Sequence, residues 1–519
     1  MKERKYLTFA SVAVLLTTVS CYKDLSTEAT FEIPPIEVTS PEYPGETLTI
    51  KYGQYLDVSL SVVQEGRTES DFSYFWEIDL VAGKAHNRIE LGEESSVHYQ
   101  VANSPSDEPY MLSVRVTDGK TGYSVYRSWK VYVTSSLGEG LLVAHTSDSG
   151  ATTELDLLSC SPVTYGYSGS TPTYTRNLFA MANSGTGIEG RVNAMTARVA
   201  CDGALFNESR IIIGTDRGIF SLDPLTYKVA RRDRELFNIV EESSFATTAL
   251  FNFAAYQSGA IVNGRLYNVI CNSDNSYSKV SFSGTPSDIF KASNTAYAKL
   301  DKSIIAVFDE TRSRFFYIYG WQAFTATMTL LENQPDYPSG TVCLGCGCLT
   351  GSALCFVLRY PDGKLKACVL TPTDTGPLYS DYDLTIPEID SVVDFAFCDN
   401  AMLFYCVTPE KIYPVTIVGS GAVTGNALAW SPEKSSEKIT SIEQYKQGWY
   451  GTHQYDTGDY SFPLSTNRAQ IVITTWDAST AEGKIYLHPF SAQTGRFTSK
   501  NNGVYGGFGQ ITAIASTLK

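Results

Sequence analysis

Apolar and polar residues alternate over short stretches along most of this chain, with a period of two. Leu56, Val58, Leu60 and Val62 are separated by polar neighbours, which places one face of a strand in a core. Leu112, Val114 and Val116 alternate in the same way against Met111, Ser113, Arg115 and Thr117. The segment TDGKTG then reads as a turn into YSVYRSWKVYV. Strands of this kind recur about every ten residues over 34–135, the spacing of a β-sandwich.

Beyond SSLGEG (135–140) the texture changes to paired apolar runs, at 140–159, 210–226, 258–270, 303–319, 353–371, 401–417 and 469–490. Each unit is an apolar strand, a polar turn with Gly, Asp or Pro, and a second apolar strand. Seven units over the C-terminal region give one per ~50 residues, the period of propeller blades. Residues 137–519 are therefore expected to form a β-propeller of six to eight blades, seven preferred. GQITAIAST (509–517) is placed to close the ring by pairing into the first blade. No WD or Kelch signature marks the blades.

The N-terminus breaks the pattern. Lys2, Arg4 and Lys5 precede a short run of apolar and small residues over 6–20, the layout of a secretory leader. It is too short to span a bilayer comfortably. Thr18-Val19-Ser20 before Cys21 resembles a bacterial lipobox, with Thr18 in place of the commoner Leu. On that resemblance residues 1–20 are removed and Cys21 takes the lipid (a palmitate-type anchor), while an ordinary leader would leave Cys21 inside the mature fold. Residues 21–33 read as a tether, part of a stretch to 45 with four prolines. Lys23-Asp24 resembles the short charged export signal of surface lipoproteins in Bacteroidetes.

Composition narrows the partners. The formal charge is −15, and without the leader it is about −17, which repels phosphate backbones and argues against nucleic acid. The chain has 33 tyrosines and 40 glycines, a bias that favours strands and turns.

FSYFWEID (72–79) followed by PYMLSVRVTDGKTGY (109–123) resembles a PKD-type immunoglobulin-like domain, matched at Tyr74, Trp76, Val114, Val116, Thr117 and Asp118. Glu77-Ile78-Asp79 replaces the family's usual Gly-Asp-Gly turn. The whole layout is similar to PKD-like lipoproteins of gut Bacteroidetes: a leader ending Ser-Cys-Tyr, a PKD-like module, and a long region opening like GLLVAHTSDSGATTELDLLS. The expected fold is thus all-β, a PKD/immunoglobulin-like sandwich followed by a β-propeller. The resemblance implies an outer-membrane lipoprotein facing the cell exterior, an accessory subunit of a SusC/SusD-type TonB-dependent nutrient-uptake complex.

Candidate chemistry is sparse. CLGCGC (343–348) has a zinc-knuckle spacing at Cys343 and Cys346, with Cys348 as a third ligand. A closed zinc site needs four ligands, and there is no second CxxC and no His between His145 and His453. Small apolar side chains on one strand face are the reading adopted, with no metal and no cofactor expected. Cys355 and Cys368 flank the turn YPDG almost symmetrically and form the candidate disulfide. No H-E-x-x-H or G-x-S-x-G motif is present.

Aromatic-rich loops stand out at 165–175, 319–324 and 444–462. Rings beside hydrogen-bonding groups suit a sugar face, a peptide or a protein partner. Trp321, Trp449, Tyr450, His453, Tyr455 and Tyr460 are the candidate ligand- or partner-binding residues. The function expected is non-enzymatic capture or hand-over of a peptide or glycan. A surface hydrolase or lyase, whose carboxylates need no local motif, and a stand-alone surface glycan-binding protein are the competing readings.

Overall fold

A computed structural model describes residues 33–103, 105–106, 108–134, 139–147, 150–198, 210–224, 226–237, 242–254, 257–268, 282, 296–298, 304–319, 328–419, 421–424, 430–447, 464–498 and 500–517. The fold is all-β, with one α-helix of five residues, Leu178–Ala182, among them.

Residues 33–134 build a five-stranded sheet in the order Thr47–Lys51, Ser124–Thr134, Tyr110–Asp118, Phe72–Val81, Lys84–Gly92. The first pair is parallel and the others antiparallel. Two short ribbons, Glu37–Thr39 with Ser61–Val63 and Tyr55–Ser59 with Ser96–Gln100, complete the unit. Their inward positions meet in one core: Leu56, Val58, Leu112, Val114 and Val116 are buried as the alternation predicts. Trp76 and Trp129 stack at its centre, 5.9 Å between ring centroids, and neither is exposed. Each indole N–H has a carbonyl partner, Glu94 O at 2.9 Å and Tyr43 O at 3.0 Å, so the rings are buried without an orphaned donor.

The remainder forms seven small antiparallel sheets among the described residues, arranged as a propeller-like ring. Their innermost strands are Gln510–Thr517, Val192–Arg198, Thr247–Ala254, Ala296–Ala298, Val342–Cys348, Asp394–Cys398 and Glu437–Gln444. Each blade lies beside the next around the ring. Seven apolar cores fill the seven seams, one between each blade and the next. The second strand of the first blade shows why: Leu142 and Ala144 face the second blade, while Leu141 and Val143 face the seventh. A strand covered on both faces reads as an unbroken apolar run.

The ring closes as expected. Gln510–Thr517, at the end of the chain, pairs with Gly140–Thr146 and becomes the first blade's innermost strand. A polar latch fastens this closure. His145 Nδ1 accepts the Gly509 N–H at 3.2 Å, so Nε2 carries the proton and donates to Asp156 Oδ2 at 2.9 Å. Asp156 also accepts from Arg176 Nη1 at 2.6 Å and from the Asn177 N–H at 2.9 Å. The Arg176 guanidinium lies over the rings of Tyr174 and Phe508, 4.3 and 4.8 Å from their centroids. Burial alone would raise the Asp156 carboxyl; His145, Arg176 and Asn177 outweigh it and hold it below its ordinary value.

CLGCGC is explained by the close approach of two innermost strands. A Cβ on Gly345 would lie 2.6 Å from the Phe395 ring, and one on Gly347 would lie 2.6 Å from Phe397 Cβ. Cys343, Cys346 and Cys348 point the other way, into the core shared with the fourth blade. Glycine admits the neighbouring blade and cysteine fills a shallow core, so the spacing is one of packing. Gly347→Val is expected to cost about 1–3 kcal/mol through overpacking, read as a lowered urea midpoint in circular dichroism.

The expected Cys355–Cys368 disulfide is not formed. Cys355 stands opposite Val369, and Cys368 opposite Phe356. That one-residue offset sends the two side chains to opposite faces of the sheet. Cys355 enters the core shared with the sixth blade, and Cys368 the core shared with the fourth; both are free thiols.

Candidate functional site

The seam between the first and seventh blades carries a cleft of about 710 Å³. Three loops meet there. Residues 160–172 join the third and outermost strands of the first blade, 490–502 do the same in the seventh, and 464–466 lead into the seventh blade's second strand, Gln470–Asp477. Side chains tie the first loop to the opposite blade. Thr466 Oγ1 and Gln470 Nε2 both donate to Pro162 O, at 2.7 and 3.1 Å. Tyr445 OH donates to Val163 O at 3.4 Å. Gln447 Nε2 donates to Glu139 Oε1 at 2.7 Å, and the Tyr165 N–H to Glu139 Oε2 at 3.0 Å. Burial raises the Glu139 carboxyl against these two bonds.

Tyr167 is the ring presented to this cleft. Its hydroxyl donates to Thr171 O at 2.5 Å and lies 2.7 Å from Thr173 Oγ1, so its orientation is held by the loop's own backbone. Gly169 folds across it: a Cβ there would come within 2.8 Å of the Tyr167 ring. Tyr505, nearly buried, forms part of the floor. Ser161, Ser170, Ser465 and Asn501 add hydroxyl and amide groups. Lys500 is the one charged residue on the lining, and no Asp or Glu belongs to it, among the described residues. The arrangement offers a fixed aromatic ring with neutral donors and acceptors, which can hold and orient a ligand.

A second set of polar groups sits on the innermost strands. Asp394 accepts the Ile442 N–H of the next blade at 2.9 Å and its neighbour's Phe395 N–H at 2.8 Å. It thereby satisfies an edge strand that has no further strand to pair with. Burial pushes its carboxyl up to about 6 despite these bonds. Glu443 is exposed on the innermost strand Glu437–Gln444. Desolvation by the surrounding protein, with the Asp394 charge nearby, pushes its carboxyl up to about 8, against the pull of Lys446. Asp399 is instead neutralised, by Arg468 Nε at 2.6 Å and Lys446 Nζ at 3.3 Å. Among the described residues no group of three or more His, Cys, Asp or Glu is placed to hold a metal ion.

Several residues singled out in the sequence, Cys21, Trp321, Trp449, Tyr450, His453, Tyr455 and Tyr460, lie outside the described residues. Gln447 and Leu464, which border residues 448–463, are both at the seam, and Leu464 lines the cleft. Of the three aromatic-rich loops, 165–175 contributes to the cleft through Tyr167, Gly169 and Thr171 among others. Sequence reasoning did not single out Lys500, Asn501 or Tyr505. Their segment KNNGVY carries a turn signal, but nothing in it reveals that ring closure sets it opposite residue 167.

No family model matches the chain, and no curated protein does. Among solved structures it is similar to apo AztD from Citrobacter koseri, at 12% identity over 86% of this chain and 98% of that one, TM-score 0.36. It is similar to the Aleuria aurantia lectin, a mutant in complex with alpha-methyl-L-fucoside, at 9% identity over 79% and 93%, TM-score 0.32. The WD40 domain of SCAP from fission yeast is similar at 10% identity over 57% and 71%, TM-score 0.32.

Proposed function

We propose that this chain is a non-enzymatic, ligand-binding lipoprotein that serves a SusC/SusD-type nutrient importer. Its anchor is the lipid on Cys21, its place the outer face of the outer membrane, and its N-terminal unit a PKD-like spacer. The propeller-like ring binds the cargo, a peptide or a glycan. The observation that carries the reading is the seam cleft: a loop-fixed Tyr167 ring among neutral hydroxyl and amide groups, with no carboxylate on its lining among the described residues. Such a lining suits retention of a ligand and lacks the two carboxyl groups that glycoside hydrolysis uses. The lipobox-like Thr18-Val19-Ser20-Cys21 supports the anchor. No helix of the described residues is long and apolar enough to cross a membrane. Two anchored binders sharing one surface would recapture ligand lost by either.

A mild-detergent pull-down of the full chain from native outer membranes tests the proposal. Recovery of a transporter pair in near-equal amounts supports it; recovery of the chain alone overturns the accessory role and leaves a stand-alone surface binder. The competing hydrolase or lyase reading draws on Asp394 and Glu443, whose raised pKa values are of the kind acid catalysis uses. Turnover of a surface glycan that is lost in Glu443→Gln would favour it.

A further inference from the structure

We propose that the seam cleft recognises a carbohydrate chain bearing an acidic group, an inference that rests on the ligand-binding reading above and names its cargo class. The reason lies in where the cleft keeps unused hydrogen-bonding capacity. A bound peptide is held chiefly through its main chain, by N–H and C=O groups of a strand edge or loop. Here part of the main chain is already engaged. Pro162, Pro172 and Pro489 have no N–H. The carbonyl of Pro162 already accepts two bonds. Those of Thr171, Leu464, Pro489 and Asn502 accept from Tyr167, Asn467, Thr498 and Tyr505 respectively. Side-chain chemistry stays open: the hydroxyls of Ser161, Ser170 and Ser465, the Asn501 amide and the Tyr167 ring. Hydroxyl and amide groups beside a fixed ring match the alternating hydroxyls and apolar face of a sugar.

Charge sets the second half of the inference. The chain carries −15 overall, so an acidic ligand needs a local positive group to offset the net repulsion. The cleft supplies such a group, because Lys500 is exposed on its lining and no carboxylate shares that lining among the described residues. A uronate or similar acidic sugar is drawn to this point and gains a charge-assisted hydrogen bond.

Isothermal titration calorimetry of the full chain in detergent, with tetragalacturonate, cellotetraose and tetraalanine as probes, tests this. Tetragalacturonate is expected to bind at least about tenfold more tightly than cellotetraose, and tetraalanine not at all. Lys500→Gln is expected to erase that preference by weakening tetragalacturonate binding; Lys500 is exposed, so the variant folds. Tetraalanine binding most tightly, equal affinity for both sugars, no binding of any probe, or a preference indifferent to Lys500→Gln would each overturn the proposal. The two readings separate cleanly. Tetragalacturonate binding without a co-purified transporter defeats only the accessory role. A co-purified transporter with no sugar binding defeats only the cargo assignment.

Discussion

Asp156→Ala is expected to lower the unfolding free energy by about 3–5 kcal/mol, the largest loss from any single polar side chain in the ring. Asp156 is 1% exposed and accepts from His145, Arg176 and the Asn177 N–H. Removing it leaves the Arg176 charge without its carboxylate partner and the Asn177 N–H without its acceptor. It also frees His145, which holds the Gly509 N–H at the start of the closing strand. The loss is therefore expected at one place, the junction of Gly140–Thr146 with Gln510–Thr517. Urea titration followed by circular dichroism gives the shift, and limited proteolysis gives the location, with cleavage near residue 509 appearing before cleavage elsewhere. Asp156→Asn, which keeps the shape and an acceptor oxygen, should lose less. An unchanged midpoint in Asp156→Ala would remove the latch from the account of closure.

The second large effect is acid destabilisation through His488. This residue is 6% exposed in the seam between the sixth and seventh blades, and neither ring nitrogen has a hydrogen-bond partner among the described residues. Its ring stacks on Phe497 at 5.2 Å and lies 5.7 Å from Trp430. Burial lowers its pKa to about 4 from an ordinary 6.5. A base whose folded pKa is depressed binds its proton more readily when unfolded. Stability is thus full above about pH 6.5, falls as pH drops through the window, and is reduced by about 3 kcal/mol below pH 4. Asp394 and Glu443, with raised pKa values, act in the opposite sense: they favour the folded state as pH falls, with their effect lost as pH rises. The comparison that isolates His488 is therefore wild type against His488→Phe. Between pH 6.5 and 4 the variant should hold its stability better by about 3 kcal/mol. Parallel pH profiles for the two proteins would show that the imidazole stays neutral or finds a partner.

How far the fold was legible depended on which strand of a blade is considered. Six of the seven apolar pairs read from the sequence prove to be the middle two strands of a blade, such as Leu354–Arg359 with Leu365–Thr371; the other, Gln257–Val262 with Arg265–Asn268, is the second and third strand of a blade with three strands among the described residues. Both faces of those strands meet neighbouring blades, so every position is selected for bulk and the run is continuous. Apart from the closing strand Gln510–Thr517, the innermost strands were not legible, and nor were the outermost, for two different reasons. Innermost strands crowd near the axis, and Val342–Cys348 reads as glycine and cysteine because Phe395 and Phe397 occupy the space a side chain would need. Outermost strands such as Leu378–Leu384, LYSDYDL, are half solvated and carry a polar pattern that resembles a loop. The symmetry of Cys355 and Cys368 about their turn misled for a similar reason. Counting residues places two side chains at one level but does not say on which face, and a one-residue offset separates them. The cleft was half legible: the aromatic loop 165–175 announced itself by composition, whereas Lys500 and Asn501 become partners to it only through closure.

That closure has a consequence for how the chain must assemble. The Thr517 hydroxyl donates to Gly140 O across 377 positions of sequence. A contact of such range forms late, because the entropy of closing the loop must be overcome before any pairing rewards it. Until then Gly140–Thr146, all but one of its residues buried in the finished ring, is an edge strand without its inner partner. An apolar edge of that kind recruits other chains. The interval between the emergence of residue 146 and the docking of residue 510 is thus the period of greatest aggregation risk, and the speed of that last pairing sets how long it lasts.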